Sequence, residues 1–393
     1  KDSVTLHKLP ARDAVDQLAT TLRAQLIPSQ LQRRIVGIDV AEANRGLGVA
    51  AAAPTDTAAF VAAANGVYKA VVEPAAATMA DKRLLIVADG ALNYIPFEVL
   101  LKSSDAGDFA SLGYLVKTNE IIYAPSASVV GFIKQQRGPA TGKSMLIIAD
   151  PVFNSNDTRA QKAPAATEPA EVRGLGIQSA ITDVAGQTPS AASGEMQGLP
   201  LARLTGTRTE AQQISGLAKT AGAQADVWLD LDASEDNLVA RDISKYRIIH
   251  VATHGLLNAE RPQFTGVVLS LVGNKTRDGF LRTDEVFNLH LGSPLVVLSA
   301  CETGLGKEKR GEGVMGLTRA FMYAGAPTVG VSLWSVADKS TADLMTDFYS
   351  RLLASADASS SASLREAQLS MISGKKYSAP FYWAPFVLVG DWK

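Results

Sequence analysis

The imidazole and thiol chemistry open to this 393-residue chain rests on four histidines, His7, His250, His254 and His290, and one cysteine, Cys301. Two of these follow short apolar runs. Tyr246 to Ala252 leads into Thr253-His254-Gly255, and Pro294 to Ala300 leads into Cys301, 47 positions after the histidine. Runs of that length and composition are expected to be buried strands. Parallel strands of an α/β sheet deliver their carboxyl ends to one edge, where such sheets bind ligands. The pattern therefore predicts a thiol and an imidazole facing one crevice. A free thiol, with a pKa of about 8.5, is mostly protonated at neutral pH, and a neighbouring imidazole raises the thiolate fraction or removes the proton during attack. His254 is then the general base and afterwards the acid. The backbone N–H groups of Gly255 and Cys301 are the expected oxyanion donors, worth roughly 3 kcal/mol each. From the residues alone the plainer alternative stays open: a small buried hydrophobe at a strand end and a histidine in a turn.

Other constellations do not assemble. His250 and His254 stand roughly 13 Å apart on an extended strand, too far to share one zinc, so His250 reads as a packed strand residue. Gly304-Leu-Gly-Lys307 is followed by Glu308 and lacks the glycine spacing of a phosphate loop. Neither a G-x-S-x-G elbow nor an H-E-x-x-H pair occurs. No metal or organic cofactor is expected. The 38 Lys and Arg balance 39 Asp and Glu, which speaks against a general nucleic-acid or acidic-membrane binder. No apolar run approaches the roughly 18 residues of a membrane span, and Lys1 to Pro10 lacks a signal-peptide core. A lone cysteine rules out an internal disulfide framework and suits a reducing, cytoplasmic setting. Position 1 is not Met, so an upstream part with a targeting or recognition module is expected.

The elements that would position these residues form an α/β pattern. Arg12 to Leu26 repeats apolar residues at three and four steps and stops at Pro28; Thr57 to Met79 is a second helix. Arg83 to Ala88, Glu120 to Tyr123 and Met145 to Ala149 read as strands. Composition then shifts to Ala, Thr, Ser, Pro and Gly over 154–200, a connection too long for an ordinary loop. The chain is expected to divide into an N-terminal scaffold over 1–153, a partly flexible linker over 154–200, and a catalytic part over 201–393. The latter opens with a helix at Thr209 to Ala221. A hairpin follows Gly266 to Val272, and Thr283 caps a short helix. Helices are expected at Val314 to Ala324, Thr341 to Leu353 and Leu364 to Ile372, a strand at Thr328 to Leu333, and a docked apolar end at Phe381 to Trp392.

Several segments carry a resemblance. Tyr246 to Gly255 (YRIIHVATHG), Val297 to Gly304 (VLSACETG), Gly311-Glu312-Gly313, Leu333 to Asp338 and Trp383 to Trp392 resemble the CHAT family of caspase- and separase-like cysteine peptidases, of the clan CD type. So do Asp89 to Leu100 (DGALNYIPFEVL), Tyr123 to Ser128, Asp150 to Phe153 and Leu204 to Ala211. The resemblance implies a caspase-like three-layer α/β fold: a mostly parallel sheet with helices on both faces, and an N-terminal pseudo-caspase half joined to a C-terminal active half. It also implies a Cys301–His254 dyad that cleaves peptide bonds in a protein or peptide substrate. Residues 1–200 hold no cysteine and only His7, so that half cannot carry a dyad of its own. Such proteins are often preceded by TPR-like modules or gated by a regulatory protein; no helical repeat occurs within this chain.

Separase-like relatives read a basic residue before the cut with an acidic side chain, and Asp338 resembles that position; it reads equally as a helix cap. Trp334 is a candidate for the adjacent subsite or for the core. Glu302 and Glu312 are candidates to order the loop or meet substrate. The loop Gly304 to Gly313 is glycine-rich enough to serve as an activation element. Two rival readings are a silent interaction scaffold and a protease limited to self-processing at Arg159, Lys162 or Arg173.

Overall fold

The computed structural model describes residues 4–27, 56–136, 144–162, 201, 203–256, 265–302, 312–334, 338–355 and 357–392. Its first helices are α1 (Arg12–Leu26) and α2 (Thr57–Val71). α2 ends earlier than the Ala-rich run suggested, because Pro74 forces the next turn into a 3-10 helix over Glu73–Thr78. Then come β1 (Leu84–Ile86), β2 (Ile121–Tyr123), α3 (Ala127–Gln136) and β3 (Ser144–Pro151). The second stretch has α4 (Thr205–Thr220), β4 (Gln224–Asp230), α5 (Glu235–Ala240) and β5 (Ile248–Leu256). It continues with β6 (Gly266–Val268), β7 (Phe280–Arg282), α6 (Thr283–Val286), β8 (Leu295–Glu302) and α7 (Glu312–Tyr323). β9 (Thr328–Ser332), α8 (Asp338–Leu352), α9 (Ser360–Ser373) and β10 (Phe386–Gly390) close the chain.

Among the described residues, ten strands join one sheet in the order β1-β2-β10-β9-β8-β5-β3-β4, with the β6–β7 ribbon attached to β5. The main path is parallel except for β10 against β9. Helices cover both faces, which is why β3, β5 and β8 read as unbroken apolar runs. One side of β5 sends Ile249 and Val251 toward Leu238 of α5 and Phe321 of α7; the other sends His250 toward α4 and α8. A single core runs from Ala19 to Val389, and a satellite cluster of Phe153, Leu256, Val268 and Phe280 sits near the far end of β5.

Strands from either side of 154–200 interleave. β3, from the first stretch, is hydrogen-bonded between β4 and β5, and β2 lies beside β10, the last strand of the chain. β4 and α5 have no counterpart in the sequence-based expectation; β4 carries Gln224, Asp226 and Asp230 and occupies a sheet edge, where apolar patterning is weak. Thr283 is the first residue of α6 rather than its cap, and its hydroxyl donates to the Thr265 carbonyl at 2.9 Å. Among the described residues, no helix is long and apolar enough to cross a membrane.

Candidate active site

Thr253-His254-Gly255 has the composition of a turn, yet β5 runs through it to Leu256. The cause is a change of neighbour. β3 pairs with β5 only as far as Ala149↔Ala252, and β6 then takes over antiparallel with His254↔Val268 and Gly255↔Val267. On its other side β5 stays in register with β8, so that His254 pairs with Cys301 and Gly255 with Glu302. Cys301 likewise lies inside its strand and not just beyond it. Adjacent strands run about 4.8 Å apart, so the thiol-bearing and imidazole-bearing residues are direct backbone neighbours at the carboxyl ends of two parallel strands. Gly255 sits within the sheet instead of at a turn tip, which changes the setting of its expected oxyanion amide. The β8–β9 pairing stops at Leu298↔Val331, so β8 runs on past its last β9 partner toward Cys301.

His254 is buried, at 2% exposure, and its ring lies 5.0 Å from that of Phe153 at a 55° tilt. Two pleats earlier, His250 is fully enclosed: Nδ1 is 3.0 Å from the Tyr349 hydroxyl of α8 and Nε2 is 3.1 Å from Glu210 Oε1 of α4. The second contact is close but lacks hydrogen-bond alignment, since both of its atoms have no bonded partner by angle. His250 is thus a packed strand residue with a polar tie to two helices. Burial, with the Glu210 charge nearby, pushes the Tyr349 hydroxyl well above its ordinary pKa, which keeps its proton in place.

Where β3 ends, Asp150 adopts φ 47° and carries a fully buried side chain. Arg203 grips it with two bonds of 2.9 and 2.6 Å, Arg208 Nε adds one at 2.6 Å, and Arg159 Nη1 stands 3.1 Å away. Arg159 also reaches Asp157 at 2.6 Å and Asp230 at 2.7 Å, and Arg208 bonds Asp230 as well. The hydrogen bond from Arg159 holds the Asp157 carboxyl below its usual range. Burial pushes Asp230 up, but bonds from Arg159 and Arg208 outweigh it and leave that carboxyl low. Local sequence does not reveal this knot, because the partners of Asp150 lie up to 58 positions away. Arg159, considered above as an internal cut site, is 14% exposed in its side chain and tied to three carboxylates, so it is poorly presented for cleavage. Arg173 lies outside the described residues.

The remaining candidates separate. Trp334 belongs to the core: it is 2% exposed, and its indole N–H donates to the Phe381 carbonyl at 3.1 Å. Glu302 ends β8, Glu312 begins α7, and Asp338 is the first residue of α8. Because both helices return from the carboxyl edge of a parallel strand, all three backbone positions belong to the edge that holds His254 and Cys301. Residues 303–311, most of the expected activation loop, lie outside the described residues. Among the described residues, no three His, Cys, Asp or Glu side chains gather as a metal site.

A largely parallel sheet covered on both faces, with a histidine and the only cysteine in register at its carboxyl edge, defines an α/β protein of the kind the sequence motifs implied. The chain belongs to the CHAT domain family, which it matches over residues 61–391. Tetratricopeptide repeat protein 28 of Mus musculus is 39% identical over 115 residues, 29% of this chain and 5% of that one. The Homo sapiens protein of the same name is 41% identical over 111 residues, 28% of this chain and 4% of that one. The chain therefore spans a small fraction of these relatives. Among solved structures, the Saccharomyces cerevisiae separase–securin complex aligns over 78% of this chain and 15% of that chain, with 13% identity and a TM-score of 0.41. A structure described as a protease aligns over 85% and 68%, with 11% identity and a TM-score of 0.41.

Proposed function

We propose that this chain is a cysteine endopeptidase acting on protein substrates through Cys301 and His254, without metal or organic cofactor. The observation that carries the reading is the register His254↔Cys301 at the carboxyl edge of the sheet. In this mechanism His254 takes the thiol proton as sulfur attacks the scissile carbonyl carbon. Backbone amides around Cys301 and Gly255 hold the oxyanion, and the C–N bond breaks as the imidazolium hydrogen passes to the leaving amine. Water then attacks the thioester with His254 again as base, releasing the new carboxyl end and restoring the thiol. Glu302, Glu312 and Asp338 share the edge that a peptide would cross, and Asp338 is assigned to a basic side chain before the cut. Residues N-terminal to the linker serve as scaffold, and an upstream repeat module or regulatory protein gates the site.

The deciding experiment digests a peptide library with the wild type, Cys301→Ala and Asp338→Ala, comparing Arg, Lys, Asp and Leu before the bond. Turnover lost in Cys301→Ala supports the proposal, and a preference for basic residues lost in Asp338→Ala supports that assignment. Cleavage unaffected by Cys301→Ala refutes the dyad. One observation favours a second reading, an interaction scaffold without turnover: His254 is almost fully enclosed. Incubating wild type, Cys301→Ala and their mixture separates the cases. No fragments from any sample points to a scaffold, and fragments from intact wild type alone point to cis processing.

A further inference from the structure

We infer that Phe153 is a positioning residue that fixes the orientation of the His254 imidazole, and that the Asp150 arginine knot exists in part to place it. The inference rests on the dyad reading proposed above. A general base works best when a further group sets its ring, and against the His254 ring lies Phe153, which is 3% exposed with its centroid 5.0 Å from that of the imidazole. The sequence alone does not bring the two together, since they are 101 positions apart.

The path between them is specific. β3 stops tracking β5 after Ala149↔Ala252, and its register shifts between Ala149 and Pro151. Asp150 turns the backbone into the left-handed region at φ 47°, a conformation uncommon for a side chain that is not glycine. It is held there by Thr207 Oγ1, which accepts its N–H at 3.1 Å, by Arg159 Nη1, which donates to its carbonyl at 2.8 Å, and by the guanidinium grips on its carboxylate. Two residues on, the Val152 carbonyl accepts from Leu271 N at 2.9 Å and from the Ser270 hydroxyl at 3.2 Å. The bend is therefore pinned on both sides, and it delivers Phe153 to the stretch of β5 that β3 has vacated. Among the described residues, charged positions on the adjoining elements include Asp150 with its arginines at the end of β3, Glu210 of α4 beside His250, and the Glu302 position of β8 opposite Gly255.

Cys301 is the only thiol, so iodoacetamide alkylation of the whole chain reports this site without needing turnover. The rate is measured against pH for wild type, His254→Ala, Phe153→Leu, Phe153→Tyr and Phe280→Leu. The last removes similar bulk from the same satellite cluster and controls for loosened packing. His254→Ala should raise the apparent pKa of alkylation toward that of an ordinary thiol. Phe153→Leu should follow it at least halfway and slow the reaction at pH 7 at least threefold, while Phe153→Tyr and Phe280→Leu keep the wild-type profile. If His254→Ala shifts the profile and Phe153→Leu does not, or Phe280→Leu shifts it equally, the positioning role is overturned and the dyad stands. If His254→Ala leaves the profile unchanged, the dyad is overturned, and the positioning role with it.

Discussion

Glu98 offers a test in which the structure sets both sign and size. The residue is 3% exposed; Tyr123 donates its hydroxyl to Oε2 at 2.6 Å and accepts the Phe97 N–H at 2.6 Å. Burial pushes the Glu98 carboxyl from 4.5 up to about 7, against the opposing hydrogen bond from Tyr123. The folded protein therefore holds a proton that the unfolded chain releases near its ordinary value. Below pH 4.5 both states are protonated and the contribution is fully present; as pH rises toward 7 it is lost at about 1.4 kcal/mol per pH unit, and little changes above 8. The total is about 3 kcal/mol. Glu98→Gln keeps an acceptor for Tyr123 and cannot titrate. Urea unfolding of both proteins at pH 5, 6, 7 and 8, followed by tryptophan fluorescence, gives the difference in stability directly. The variant should gain on the wild type with every step and lead by about 2 to 3 kcal/mol at pH 8. Glu235, pushed up to about 8 by burial and by Glu285 and Asp278, titrates in the same sense but cancels in the difference. A difference that stays flat across the range would refute the assignment of a buried, protonated Glu98.

Three further outcomes follow from single contacts. Asp150→Ala should cost about 2 to 3 kcal/mol, because it removes the buried carboxylate that Arg203 grips with two bonds, while Arg159 and Arg208 keep Asp230; Arg203→Lys should cost less in the same unfolding assay, since Arg159 and Arg208 still hold Asp150, and an equal loss would refute a knot shared among three arginines. Tyr349→Phe removes the hydroxyl 3.0 Å from His250 Nδ1 and should lower stability by about 1 to 3 kcal/mol, with no loss expected only if the imidazole repacks. Gly325→Ala places a methyl 2.2 Å from the Leu291 carbonyl at φ 114°, and should reduce both soluble yield and midpoint denaturant concentration, whereas Gly316→Ala, with open space around it, should not.

Much of the fold was legible because apolar runs and helical periodicity are local. α1 was placed to the residue, and β3, β5, β8 and β9 within a few positions. The expected α/β class and the family motifs agree with the sheet and with the family match over 61–391. What stayed hidden is non-local. Thr253-His254-Gly255 reads as a turn until β6 arrives to pair it; β4 has a polar edge pattern; the arginine partners of Asp150 come from two segments, around 159 and over 203–208. Trp334 reads from sequence as subsite or core, and its burial with the bond to the Phe381 carbonyl decides it. Nor does composition show that β3 belongs between strands made after residue 201.

The place of β2 bears on how the molecule is made. Its neighbour on one side is β1, close in sequence, but on the other it is β10, met through Val389↔Tyr123. During synthesis from the ribosome, that flank of β2 stays open until β10, at Phe386–Gly390, has emerged. Contacts of such long sequence separation slow folding and leave strand edges available to wrong partners. Nascent chains halted short of residue 386 should consequently engage chaperones or aggregate through this edge, which β10 closes.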